Sequence, residues 1–338
     1  MKKKDLSAFL TLLAVVFFGC GAALLFSKSR REPISRSAFL LNTFVNITLY
    51  DSQDEAILDH CVDMCQEYEN RFSKTIEGSE LYKLNHRSAD ETTFTVSDDM
   101  AAMISEGLHY SEVSHGAYDL TIEPLSSLWN FTSDEHVIPA EDDITAAAER
   151  VNWKNVKLDG NTLTFLSPDT TIDLGSIAKG YIADELAKMC EGRCTGALLN
   201  FGGNVYVVGQ KPDGSLFRVG VRDPKDTGSS LAVISMGQGT VVTSGVYERC
   251  FEKDGVFYHH ILDPKMGLPA ETDLTSATIV GQSSMDADAM ATALIVMGRE
   301  KALAFCEEHQ VEAMFIDGED NVTCTSDFAE KYALQVQK

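Results

Sequence analysis

The sixteen residues from Ser283 to Gly298, Ser-Ser-Met-Asp-Ala-Asp-Ala-Met-Ala-Thr-Ala-Leu-Ile-Val-Met-Gly, admit few structural fates. Ala287 to Met297 are almost all good helix formers, Ser283 with Asp286 three residues on resembles a capping box, and Gly298 is placed to end the helix. A helix this apolar belongs in a core. Asp288 and Thr292 are four residues apart and share one face, and a carboxylate buried there needs a partner. No Lys or Arg occurs between Ser283 and Gly298, so the partner comes from elsewhere. A metal ion is the economical candidate, because carboxylate and hydroxyl are hard oxygen ligands that suit Mg²⁺. The alternative is that Asp286 and Asp288 complement the positive end of the helix dipole.

At the other end of the chain, Leu6 to Phe26 is an uncharged run long enough to span a bilayer, with Lys2, Lys3 and Lys4 before it and Lys28, Arg30 and Arg31 after it. A cleaved secretory signal has a shorter apolar core, and the chain stays apolar past Cys20. Residues 1–33 therefore read as an uncleaved membrane anchor. The rival is a lipoprotein signal, since Phe18-Gly19-Cys20 loosely resembles a lipobox. Both place the remainder at a membrane, and Lys2 to Lys4 slightly favour a cytoplasmic N-terminus with the rest facing outward.

The chain carries a formal net charge of −23, and its first 33 residues carry +4, so the remainder carries −27. A surface this acidic excludes nucleic acid as a partner. It also repels an anionic substrate unless local cations invert the field. Of eight cysteines, the close pairs are Cys61/Cys65 and Cys190/Cys194. Neither lies beside a second pair or a His cluster, so zinc is excluded, and four-residue spacing on a helix is poor for a disulfide. Most read as buried free thiols.

Between these ends, the first strand reads from Phe39 to Tyr50, alternating from Thr43 onward, followed by helices over Glu55–Phe72, Ser79–Asn85 and Ser97–Ser114. Val156 to Phe165 is a hairpin turning at Asp159-Gly160. Ile172 to Tyr181 passes from a strand end through a glycine-bearing turn into a helix over Ile182–Cys190. Such a turn offers backbone N–H groups to phosphate, although its spacing fits neither a P-loop nor G-x-G-x-x-G. Strands follow from Leu198 to Val208, broken at Gly202-Gly203-Asn204, then over Phe217–Val221, Leu231–Ser235 and Ser276–Val280, with a closing hairpin at Ala313–Ile316 and Val322–Thr325. Hairpin-linked strands with helices grouped between them make residues 34–338 one α+β domain.

Seven segments in this order carry a family resemblance: Gly116-Ala117-Tyr118-Asp119, Ile172 to Tyr181, Asn200-Phe201-Gly202-Gly203-Asn204, Thr243-Ser244-Gly245, Tyr247-Glu248-Arg249, His260-Ile261-Leu262-Asp263-Pro264 and Ala287 to Thr292. From about Thr43 to Phe328 the chain resembles the ApbE family, the FAD:protein FMN transferases. The resemblance implies a T-fold-like domain of largely antiparallel sheet with packed helices. It also implies Mg²⁺-dependent transfer of FMN from FAD to a Thr or Ser hydroxyl of a redox protein outside the cytoplasm, with release of AMP. The alternatives are an FAD pyrophosphatase yielding FMN and AMP, and a flavin-carrying surface protein without turnover.

The same resemblance implies that Mg²⁺ is held by Asp288, Thr292 and the backbone of Ser176, and that FAD lies against Leu41, Thr75, Tyr118, Asp119, Leu120, Asp173, Lys179 and Leu262. Taken alone, Tyr118 reads equally as a core aromatic and Lys179 as a solvated helix lysine. His260 is the candidate base for the acceptor hydroxyl, because an imidazole titrates near neutrality, or else a core histidine. Asp263 either orients that imidazole or begins the Asp263-Pro264 turn, and Arg249 is a candidate for reaching a phosphate. The chain departs from the family pattern at Leu41, Thr75, Asn204 and Val246, where Met, an aromatic, Asp, and Asp or Asn are usual. Asp273 to Thr278 is similar to the acceptor motif of flavinylated proteins but lacks its Gly, and reads as a strand entrance.

Overall fold

The computed structural model describes residues 32–226 and 228–337. The expected anchor or lipoprotein signal, Cys20 included, lies outside the described residues except for its last two. Among the described residues no helix is long and apolar enough to cross a membrane.

Eight strands form one antiparallel sheet: β1 (Ile34–Leu40), β2 (Thr43–Leu49), β3 (Gly196–Phe201), β4 (Asn204–Gly209), β5 (Gly239–Gly245), β6 (Leu274–Gly281), β7 (Glu312–Asp317) and β8 (Val322–Cys324), lying side by side in chain order. The first strand is therefore a hairpin and not the single segment expected. Its two-residue turn, Leu41-Asn42, holds both residues at positive φ (54° and 55°), the conformation that matches the twist of the flanking strands. Leucine is strained there. Its N–H is held by Glu69 Oε1 at 2.9 Å.

Alternation along the central strands divides the core in two. Val242, Ala277, Ile279, Ala313 and Phe315 face helices α4 (Ser284–Met297) and α5 (Arg299–His309). Their neighbours Val241, Val280, Met314 and Ile316 face a small sheet built on strands Phe217–Arg222 and Ser230–Met236. On the β1–β4 side the helical layer is α1 (Glu55–Phe72), α2 (Asp98–Val113) and α3 (Ala178–Cys190), packed on Val45, Ile47, Leu199 and Phe201. The domain is thus α+β, with an antiparallel sheet between helices and a second sheet.

α4 begins and ends where its caps require. The Ser283 hydroxyl accepts from Asp286 N–H at 3.2 Å, and Gly298, at φ 74°, stops it. Two further free N–H groups, those of Ser284 and Met285, are taken at 2.8 and 2.9 Å by Asp184, a residue of α3. α3 itself starts four residues earlier than expected. Gly180 does not break it, because that glycine is the point where α3 and α4 touch.

The cysteines are free among the described residues. Cys194 lies beyond the end of α3 and not on it, and the thiols that approach each other are Cys61 and Cys190, 3.9 Å apart across the α1–α3 contact. Burial, with the nearby Glu69 charge, pushes the Cys65 thiol up to about 12, so it stays protonated and unreactive.

Candidate active site

A Cβ on Gly180 would lie 2.2 Å from the Ser284 carbonyl oxygen. Only glycine permits α3 and α4 to cross so closely, and the crossing brings Asp288 onto the first turn of α3. Asp288 is 2 % exposed. It accepts from Gly180 N–H at 3.0 Å, and Lys179 Nζ stands 3.3 and 3.4 Å from its two carboxylate oxygens. The partner that the sequence demanded from elsewhere is thus an ammonium and an amide. Lys179 is correspondingly not the freely solvated lysine that its helical position also allowed.

Diverting Gly180 N–H has a second effect. In a regular helix it would bond the carbonyl four residues back, that of Ser176. Given to Asp288 instead, it leaves the Ser176 carbonyl without a hydrogen bond among the described residues. Thr292 lies one turn further along α4, its hydroxyl a long 3.4 Å from the Asp288 carbonyl oxygen. The buried Tyr118 hydroxyl lies beside Ser176 without a hydrogen bond of good geometry. Burial raises its pKa, with the Asp288, Asp173 and Asp119 charges adding to the effect and Ser176 opposing it. An orphaned buried donor in a native fold calls for a ligand or a water.

A carboxylate, a free carbonyl and an unpaired phenol therefore lie at one helix crossing, with the Thr292 hydroxyl one turn further along α4. This all-oxygen donor set fits Mg²⁺. Among the described residues no group of three or more His, Cys, Asp and Glu side chains is placed to hold a metal. A cation here leans on one carboxylate and neutral oxygens, which leaves positions for oxygens of a ligand.

Beside this crossing, Asp173 is held by three donors: Lys74 Nζ at 2.8 Å, the Ser126 hydroxyl at 2.6 Å and Gly175 N–H at 2.7 Å. Burial alone would raise its pKa, but the Lys74 charge and these hydrogen bonds override it and bring it to about 2. A depressed carboxylate pKa stabilises the fold above its ordinary value near 3.8, a contribution lost as pH falls through about 2. Lys74→Met is expected to cost about 2 kcal/mol at neutral pH and to move acid unfolding, followed by circular dichroism, to higher pH. An unchanged acid midpoint would show that Lys74 is dispensable.

The other residues expected to touch FAD divide by burial. Asp119 spends its carboxylate inside the protein, on Thr121 N–H and hydroxyl (2.8 and 2.6 Å) and on Trp153 N–H (3.2 Å), so it braces a turn. Leu120 fills the space left by Gly107 of α2, and its carbonyl accepts from Asp173 N–H at 2.9 Å. Leu262 packs with Leu125 and Trp129 in a satellite core. Leu41 at the strained hairpin turn and Thr75, exposed next to Lys74, remain open to a ligand.

His260 follows the ribbon Cys250–Lys253/Val256–His259, and its N–H donates to the Arg249 carbonyl at 3.0 Å. Its Nδ1 is buried with no hydrogen-bond partner among the described residues. Burial, then the Arg249, His259 and Lys179 surroundings, hold its pKa down at about 3. It is therefore a neutral imidazole, the form a base requires. Asp263 Oδ1 accepts from Lys265 N–H at 2.7 Å and Met266 N–H at 3.2 Å, closing its own turn, and no hydrogen bond joins Asp263 to His260 among the described residues. Arg249 lies close enough to act on both His260 and Glu248, and its guanidinium reaches the Asn42 carbonyl at 3.5 Å.

The folded state prefers neutral His260, so that stability is fully present above pH 6.5 and is lost as pH falls toward 3. If His260 is the base, kcat/KM will show no acid limb near pH 6.5. A limb at that value, removed by His260→Gln, would refute the neutral-imidazole state.

Glu248, quoted in a motif but given no role by the sequence, and Lys74 complete the site. Glu248 Oε1 lies 3.3 Å from where a Cβ on Gly203 would stand. Its pKa is raised first by burial and further by Asp288, against Lys179, Arg222 and Arg249. Lys74 gave no signal at all, being one lysine in a polar loop.

Known proteins match this arrangement along most of its length. The ApbE family model matches residues 41–315. An FAD:protein FMN transferase of Treponema pallidum is 32% identical over 334 residues, which is 92% of this chain and 92% of that protein. The ApbE protein of Thermotoga maritima superposes with a TM-score of 0.81 at 29% identity, covering 88% of this chain and 99% of its own. The flavin transferase ApbE from Vibrio cholerae gives 0.80 at 28% identity, covering 89% and 99%. With the antiparallel core and the α3–α4 crossing in place, and these relatives matched nearly end to end, the chain belongs to the ApbE family.

Proposed function

We propose that this chain is an Mg²⁺-dependent FAD:protein FMN transferase that acts on a Thr or Ser hydroxyl of an acceptor redox protein outside the cytoplasm, held at the cell membrane by residues 1–33. The observation that carries this reading is the buried Asp288, fixed by Gly180 N–H and facing Lys179, with the Ser176 carbonyl left free beside it. Asp288, Thr292 and the Ser176 carbonyl would hold the cation. Bound there, Mg²⁺ supplies charge neutralisation on the diphosphate oxygens.

The protein's own groups do the rest. Lys179 and Arg249 place positive charge on a surface that otherwise repels a diphosphate. Leu41, Thr75 and the Tyr118 hydroxyl are the groups left open to FAD. The neutral imidazole of His260 takes the acceptor hydroxyl proton as that oxygen bonds to the FMN-side phosphorus. The bond from that phosphorus to the bridging oxygen breaks, and AMP carries the bridging oxygen away. Fixed positions and charges, more than covalent chemistry, supply the rate.

Incubating the full-length protein with FAD, Mg²⁺ and a flavinylatable acceptor should add one FMN residue to the acceptor mass and release one AMP. Free FMN and AMP with an unmodified acceptor would make it a pyrophosphatase. Intact FAD would make it a flavin carrier.

A further inference from the structure

Resting on the metal-site reading above, we propose that Lys179 is an exchangeable counter-ion: its ammonium neutralises Asp288 until a divalent cation arrives, and then transfers to the diphosphate of the dinucleotide.

The geometry leaves Asp288 little freedom. Its Oδ2 is tied to Gly180 N–H at 3.0 Å, and that amide is fixed by the backbone contact between Gly180 and Ser284. Oδ1 faces Lys179 Nζ at 3.3 Å. A divalent cation bound to this carboxylate and the ammonium would therefore be near neighbours in a partly buried site, where like charges repel strongly. The backbone cannot yield. The lysine can, because its four-carbon stem is flexible and its side chain is 25% exposed, whereas that of Asp288 is 3% exposed. In its present position Lys179 also reaches the Gly175 carbonyl at 3.4 Å, on the turn that carries Ser176. A rotation of this side chain takes the ammonium off the carboxylate, and in the proposal a diphosphate then receives it.

Two couplings follow. Metal alone binds weakly, because it must turn Lys179 away from a buried partner with nothing to receive it. Dinucleotide alone binds weakly, because Lys179 is still engaged and an anion would approach Asp288 directly. Each ligand removes the other's obstacle, and by linkage the two effects are equal. The site then discriminates against either ligand alone, in addition to the direct attraction of metal for phosphate.

The test measures binding, not turnover, with Mn²⁺ as the probe and the full-length protein. Lys179→Met should bind Mn²⁺ alone about tenfold more tightly than the wild type. FAD should tighten Mn²⁺ binding by a smaller factor in the variant than in the wild type. If Mn²⁺ affinity is unchanged or weaker in Lys179→Met while FAD affinity falls, Lys179 is an ordinary phosphate contact and the exchange is wrong. If Mn²⁺ binds neither protein, the metal site fails and the exchange fails with it.

Should Lys179→Met not fold, wild-type protein serves. Acylation of the Lys179 amine by an amine-reactive ester, read by mass spectrometry, should rise with Mn²⁺ alone and fall again when FAD is added. Reactivity indifferent to Mn²⁺ would overturn the proposal.

Discussion

Asp288→Asn is expected to lower FMN transfer about a thousandfold, roughly 4 kcal/mol of lost transition-state stabilisation, while leaving a folded protein. The asparagine carbonyl can still accept from Gly180 N–H, so the helix crossing keeps its hydrogen bond. What disappears is the negative charge. Lys179, already partly exposed, turns to solvent, and stability changes by about 1 kcal/mol or less. Mn²⁺ binding should vanish in parallel. A variant that transfers FMN at a tenth of the wild-type rate or better would mean that this carboxylate does not hold the catalytic cation.

The second large effect is structural. Gly180→Ala places a methyl group 2.2 Å from the Ser284 oxygen, 2.6 Å from its carbonyl carbon and 2.7 Å from the Met285 Cα. All three are backbone atoms, so no side-chain rotation gives relief, and α3 and α4 must separate. We expect a loss of about 3 kcal/mol in urea unfolding. Metal binding should be lost even where the protein stays folded, because Asp288 and the Ser176 carbonyl are positioned by the same contact. Gly237→Ala is the control, with nothing within 4 Å and no positive φ, and its unfolding midpoint should not move. Equal midpoints for the two variants would show that the helices adjust freely and that the crossing does not organise the site.

These results bear on how the family's chemistry is seated in this chain. The polar roles sort by what else each side chain must do. Asp119 and Asp263 are consumed by turns and Leu120 and Leu262 by packing. Tyr118, His260 and Glu248 keep unpaired atoms or raised or lowered pKa values, the mark of groups poised for a ligand.

The amino-acid sequence by itself determined the elements and the chemistry to look for. Periodicity and caps marked α1, α2 and α4 to within a residue or a few, and the isolation of Asp288 in an apolar helix announced a partner from elsewhere. Those are local properties, set by neighbours three or four positions away. Only the tertiary structure decided who that partner is. Lys179 lies 109 residues from Asp288 and Lys74 lies 99 from Asp173, and neither pairing leaves a local pattern. The same holds for the hairpin strand Ile34–Leu40, whose polar alternation becomes a strand only against β2. Gly180 shows the reason most plainly: its missing side chain reads as a helix breaker in sequence, and becomes the contact that builds the site once a second helix is laid across it.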